Sequence, residues 1–198
     1  YGYWQGGNNT YVDRLDYSND TEQAAAKTNS TIPNNSRSAV GNQSYGYFCG
    51  GWVNQSVVDR LEYASDTSTM STKGNLVAAV SHNFGIGNSN YGYIVGGRNT
   101  GFTPDRSDVQ RIDFADDTAT SSPKGPLAGT SYKGAGTGDA SYGYVVQAQV
   151  NAPSFGYHTT IFRIDYSNDT ATAAARSTFS YPGRSMTGIG PRAYGLPN

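Results

Sequence analysis

Tyr45-Gly46-Tyr47-Phe48-Cys49-Gly50-Gly51, followed by Val58-Asp59-Arg60-Leu61-Glu62-Tyr63 and then Asp66-Thr67, decides how this chain is read. An aromatic-rich run stopped by two glycines is a strand signal with a turn behind it. The second run alternates, with Val57, Leu61 and Tyr63 predicted on one face and Arg60 and Glu62 on the other, which is the period of a strand. Both runs recur. Tyr-Gly-Tyr begins at Tyr1, Tyr45, Tyr91 and Tyr142, and Tyr194-Gly195-Leu196 is its remnant near the end. The arginine motif begins at Arg14, Arg60, Arg111 and Arg163.

From each of these arginines to the next Tyr-Gly element the distance is 31 residues, in all four cases. That constancy aligns four units of 44 to 52 residues without gaps: approximately 1–44, 45–90, 91–141 and 142–198 of one domain. Asp20, Asp66, Asp117 and Asp169 then superpose, each followed by Thr. So do Lys27, Lys73, Lys124 and Arg176, and Gly41, Gly87, Gly138 and Gly190. The interval from Tyr-Gly-Tyr to the arginine grows instead, as 13, 15, 20 and 21 residues. Length variation is confined to one connection per unit.

Each unit carries four short strand signals, in the second unit Ala78 to Ile86, Tyr45 to Cys49, Val57 to Tyr63 and Ser68 to Thr72. Glu22 to Lys27 has local helix propensity, which the repeat overrides. Four strands in each unit of roughly 40 to 50 residues is the pattern of a propeller blade. Tyr47-Phe48-Cys49-Gly50-Gly51 is similar to the double-glycine strand of kelch repeats, and Val58 to Tyr63 with Asp66-Thr67 resembles the kelch strand that ends in a tyrosine and a polar turn. The resemblance covers all four units. It departs from the kelch pattern in two places. The tryptophan after the polar turn is absent, and Gln147-Ala148 stand where the last unit would carry Gly-Gly. The Tyr-Gly-Tyr and Asp16-Tyr17-Ser18-Asn19-Asp20-Thr21 elements also resemble repeats in large phage and algal-virus structural proteins.

The expected architecture is therefore all-β, a four-bladed propeller of four-stranded kelch-like blades. Its last strand, Ser185 to Gly190, would pair beside Tyr1 to Gln5 and close one blade between the N- and C-terminal strands, leaving no open edge there. The chain begins at Tyr1 rather than Met, inside a repeat motif, and is expected to be a processed chain or a piece of a longer array.

Composition narrows the function. Charged residues are 15% and the formal net charge is −1, so there is no basic surplus for nucleic acid. No apolar run approaches the length of about 18 residues needed for a membrane span. Cys49 is the single cysteine, which excludes an internal disulfide and a multi-cysteine zinc site. His82 and His158 occupy unrelated repeat positions, and no nucleophile elbow or phosphate loop is present. Asp116-Asp117 is weak evidence for calcium. No catalytic residue, cofactor or metal is expected, and a hydrolase or lyase using the central funnel is the least favoured reading.

Arg14, Arg60, Arg111 and Arg163, with Asp20, Asp66, Asp117 and Asp169, read as structural repeat positions. The arginines are expected to make charge-assisted hydrogen bonds to turn carboxylates such as Asp20 or to loop carbonyls. The varying loops are the better candidates for binding, because a fixed scaffold with one variable connection behaves as a display platform. They offer Trp52, Phe102, Phe155, Tyr157 and His158 as flat faces, and Asn54, Arg98 and Asn99, with Asn8, as planar hydrogen-bonding groups. Trp4 joins them if it points outward. Sequons at Asn8, Asn19, Asn29, Asn34, Asn42, Asn54 and Asn168 would carry glycans on a eukaryotic secretory route. The expected function is an extracellular or virion-surface binding and structural module whose partner is a glycan or protein. The alternative is an architectural subunit that assembles with its own copies into a fibre or tail.

Overall fold

A computed structural model describes residues 1–53, 55–99, 104–151 and 155–189. It is an all-β protein built from consecutive antiparallel sheets, in which each four-stranded sheet takes its first strand from the end of the preceding sequence unit. The first holds three strands: β1 (Gly2–Gln5), β2 (Tyr11–Leu15) and β3 (Ala25–Asn29). The second holds β4 (Ser38–Gly41), β5 (Tyr45–Cys49), β6 (Val58–Glu62) and β7 (Ser71–Thr72) in that order across the sheet. The third repeats the order with β8 (Phe84–Gly87), β9 (Tyr91–Val95), β10 (Val109–Asp113) and β11 (Ser122–Lys124). β12 (Ala135–Gly138), from the end of the third unit, and β13 (Tyr142–Val146) open the fourth sheet and are followed by a small hairpin, β14 (Gln149–Val150) and β15 (Gly156–Tyr157). The sheet then resumes with β16 (Thr160–Asp165) and β17 (Ala174–Thr178). β3 forms where Glu22 to Lys27 favoured a helix locally, so packing overrides propensity there.

The strands are shorter than the sequence implied, and their faces differ. Of the strand expected over Ala78 to Ile86 only β8 remains, because His82 adopts φ 53° and turns the chain just before it. Of Ser68 to Thr72 only β7 pairs. In β6 both Val58 and Asp59 are buried, so both faces are covered at that end of the strand, while Glu62 at the other end is exposed. Each inner sheet lies between two others, and the side chains of both faces enter a junction. Val12, Phe48, Leu61 and Met70 fill the first junction; Val40, Tyr47, Val58, Ile94 and Ile112 the second. Phe84, Tyr93, Val109, Val145 and Ile164 fill the third.

Two glycines show why the aromatic run must stop where it does. Gly50 and Gly51 have φ of 67° and 131°, a region that other residues enter only with strain. A side chain on Gly50 would strike the Val80 carbonyl at 2.6 Å. In the fourth unit Gln147-Ala148 replace this pair, and the chain runs on into the β14–β15 hairpin.

The turns just before β4, β8 and β12 are stitched together by one repeated contact. His82 donates its amide to the Ser36 carbonyl at 3.0 Å, Lys133 to His82 at 3.2 Å and Ser185 to Lys133 at 2.8 Å. All four residues have φ between 53° and 56°. Ser185 to Ile189 thus stands one step beyond β12, in the place a further first strand would take. Among the described residues its expected pairing with β1 is not made: β1 pairs only with β2, and the first sheet stays three-stranded.

Candidate functional site

The repeated polar residues act between sheets, not within them. Arg14 donates to Asp66 at 2.7 Å, Arg60 to Asp117 at 2.8 Å and Arg111 to Asp169 at 2.8 Å, each reaching the turn of the following unit. Tyr3, Tyr47 and Tyr93 donate their hydroxyls to the same carboxylate oxygens at 2.8, 2.9 and 2.9 Å. Lys73 and Lys124 approach the second oxygen of Asp117 and Asp169. Each tyrosine ring also stacks on an aromatic of the next unit: Tyr3 on Tyr63, Tyr47 on Phe114, Tyr93 on Tyr166, with centroids 5.0 to 5.3 Å apart. Burial, reinforced by the carboxylate, pushes the Tyr3 hydroxyl up to about 12 and those of Tyr47 and Tyr93 higher still. They remain donors at any physiological pH. Arg163 and Asp20 share no such bond.

At the other end of the strands the variable connections meet. Asn35 donates its side-chain amide to Asn8 at 2.6 Å, and its carbonyl accepts the Trp52 amide at 2.8 Å. The Trp52 ring meets His82 edge-on at 5.4 Å, and His82 meets Tyr132 at 6.1 Å. Tyr132 donates its hydroxyl to Asn151 at 3.2 Å, beside the β14–β15 hairpin. One polar and aromatic path therefore crosses all four units on the same side.

The candidate residues fall unevenly along it. Trp52 keeps 39% of its surface exposed. Phe155 and Tyr157 project from the hairpin, more exposed still, with their rings 5.2 Å apart and roughly perpendicular, and His158 follows them. Arg98 is not offered to a ligand as the sequence suggested: it is buried, with its guanidinium 4.1 Å above the Tyr132 ring and its Nε 4.0 Å from Asp105. Asn99 accepts a bond from Arg106 at 2.5 Å. Asn54 and Phe102 lie outside the described residues. Trp4 is exposed elsewhere, on the open flank of the first sheet over Gly2.

His82 and Tyr132 were missed as parts of this face. The signal was available: His82 aligns with Ser36, Lys133 and Ser185 in the repeat, and it is the turn shared by these positions that lifts its ring between loops. Burial, with the charges of Lys133 and Arg98 nearby, lowers the His82 pKa to about 4, so the imidazole is neutral at pH 7. Its nitrogens meet the hydroxyls of Ser36 and Ser81 at 3.4 and 3.3 Å.

Of the sequons, Asn8, Asn19, Asn29 and Asn168 are exposed and Asn42 is partly covered. Asn34 is 4% exposed against Gly51, a correction to its reading as a glycan site. Asp117 of the Asp116-Asp117 pair is committed to Tyr47 and Arg60. Among the described residues no group of three or more His, Cys, Asp or Glu side chains is placed to hold a metal. No helix there is long and apolar enough to cross a membrane.

No protein-family model and no curated protein matches the chain. Solved structures do match in fold: YjhT superposes with a TM-score of 0.73 at 12% sequence identity, over 92% of this chain. The matched region spans 64% of the YjhT chain. At that identity the likeness is one of architecture, consistent with a succession of blade-like sheets, and carries no activity with it.

Proposed function

We propose that the chain is a non-enzymatic binding module of the kelch-like propeller kind, displayed outside the cell or on a virion surface, whose variable-loop face holds a glycan. The four sheets are its blades. The observation that carries this reading is the continuous path from Asn8 and Asn35 through Trp52, His82 and Tyr132 to the Phe155–Tyr157 hairpin. A sugar ring presents an apolar face to an aromatic plane and hydroxyls to amides, and this surface alternates the two. Its buried half is already fixed: Tyr132 is held between Arg98 and Asn151, so the exposed rings rest on a rigid base, which lowers the entropy lost on binding.

Glycan-array binding by the whole chain, followed by titration of the best hit, tests this. Trp52→Ala and Tyr157→Ala are each expected to weaken binding roughly tenfold, the usual loss for an aromatic anchor. An array without hits, or hits that both variants bind as tightly as the parent, would sink the reading.

A further inference from the structure

The two flanks of the array carry complementary halves of a junction that the structure completes three times. In each complete junction a tyrosine and an arginine of one sheet reach an aspartate in the next, and the tyrosine ring stacks on an aromatic three residues before that aspartate. In the fourth sheet the donors are Tyr144 and Arg163. Tyr144 is only partly buried, whereas Tyr47 and Tyr93 are fully so, and the Arg163 guanidinium lies 4.3 Å over Tyr142 of its own sheet, as each earlier arginine lies over its own first tyrosine. In the first sheet the acceptors are Tyr17 and Asp20. Asp20 is exposed where Asp66, Asp117 and Asp169 are buried, and Tyr17 is 64% exposed.

The apolar parts are split in the same way. Trp4 aligns with Phe48, Ile94 and Val145, which are buried against the preceding sheet at 7, 1 and 0% exposure; Trp4 is 53% exposed. On the opposite flank Tyr144, Val146 and Ile161 align with Tyr93, Val95 and Val109, all buried. There they line an open groove of about 450 Å³ with Phe179, Met186 and Ile189. Among the described residues no sheet covers either flank.

We propose that a second copy of this chain docks head to tail, its first sheet entering the groove on the fourth sheet of its partner. Tyr144 would stack on Tyr17, and the Tyr144 hydroxyl and Arg163 would both bond Asp20. Ser185 to Ile189, already seated against β12 through Ser185 and Gly188, supplies the first strand that the three-stranded sheet lacks. The repeat fixes its register on β1: Thr187 opposite Gln5, Gly188 opposite Trp4, Ile189 opposite Tyr3, as Ser38, Ala39 and Val40 stand opposite Cys49, Phe48 and Tyr47. The charges favour it, with Arg163 and Arg176 on one flank and Asp20 on the other. Such a contact joins two different surfaces, so it repeats into a ring or a filament. The flanks are distinct from the loop face, and either surface can fail its test without the other.

Light scattering on chromatographed protein tests the docking. The parent chain is expected to run as a dimer or larger. Asp20→Ala, and separately the pair Tyr144→Phe with Arg163→Ala, are expected to run at the single-chain mass of 21.1 kDa. Each variant keeps one intact flank, so an equimolar mixture of the two should give a species of twice that mass and nothing larger. Asp20 is exposed in a turn, and near-ultraviolet circular dichroism of Asp20→Ala should match the parent. A monomeric parent, whether its ends meet within one chain or not at all, overturns the proposal. So does association that survives Asp20→Ala, or a mixture that stays at the single-chain mass.

Discussion

Asp117→Ala and Asp20→Ala make the same change at the same repeat position, yet the structure assigns them very different consequences. Asp117 is buried and accepts hydrogen bonds from Tyr47 at 2.9 Å and Arg60 at 2.8 Å, with Lys73 3.7 Å from its other oxygen. Removing it leaves the Tyr47 hydroxyl without its acceptor in a fully buried place, a loss of about 1–2 kcal/mol. It also strips Arg60 of its carboxylate. That side chain keeps 21% exposure and can recover some hydration, so the second loss is about 1–2 kcal/mol rather than the larger figure for a fully buried pair. Together these give about 3 kcal/mol, and for a chain of this length a midpoint lower by roughly 6–12 °C. Asp20 faces water in the single chain, and its replacement should change stability by less than about 0.5 kcal/mol. Thermal and urea unfolding of both variants, at protein concentrations where the chain is monomeric, makes the comparison. Equal losses would refute the reasoning, because they would place Asp20 within a junction like the others. Tyr47→Phe should lose much less than Asp117→Ala, since the carboxylate keeps Arg60.

Three further outcomes follow from particular contacts. Gly74→Ala should lower the midpoint, because a side chain there collides with the Ala119 carbonyl across the second junction, and the Gly74 amide donates to Asp117 at 2.8 Å; a variant as stable as the parent would contradict that approach. The buried Cys49 thiol is pushed up to about 12 by burial, so a thiol reagent at pH 8 should label it only as fast as the second sheet opens, with labelling accelerated by urea; immediate labelling of folded protein would be the contrary result. His82 gives an acid limb to stability. Its folded pKa is near 4 against 6.5 unfolded, so between those values the unfolded chain takes up a proton that the folded chain refuses, and stability falls as pH drops from 6.5 to 4. His82→Gln should flatten that part of the pH profile, and an unchanged slope would assign it to other groups.

What could be read in advance and what could not divide along a physical line. A periodic sequence specifies whatever repeats, so the all-β class, the Tyr-Gly-Tyr strand and the arginine strand were legible, down to β5 at Tyr45–Cys49. The partner of a repeated residue was not. Arg60 and Asp66 are six residues apart and invite pairing within one turn, but a strand that packs face to face with its neighbour places its own turn out of reach, and Arg60 bonds Asp117 instead. The same packing explains why the alternation of β6 holds at Leu61 and Glu62 but not at Val58 and Asp59: where the sheet is covered on both sides both sets of side chains are buried, and polarity there reports the junction chemistry rather than exposure. Asp59, buried beside Arg37 at 2.8 Å, is polar for that reason. The candidate site was legible by position but not by occupant. Loop length pointed to Trp52 and the Phe155–Tyr157 hairpin, while Arg98, polar and within a long loop, turned inward onto Tyr132 because a ring and a carboxylate were nearer than solvent. His82 and Tyr132 were hidden because each belongs to the conserved-length part of its unit, where a departure from the repeat is easily taken for drift. A residue that differs among otherwise equivalent positions, and that the common backbone turn aims at a shared surface, deserves to be weighed with the loops. By that criterion the face in this chain is made jointly by what varies in length and by what varies in identity on a fixed frame.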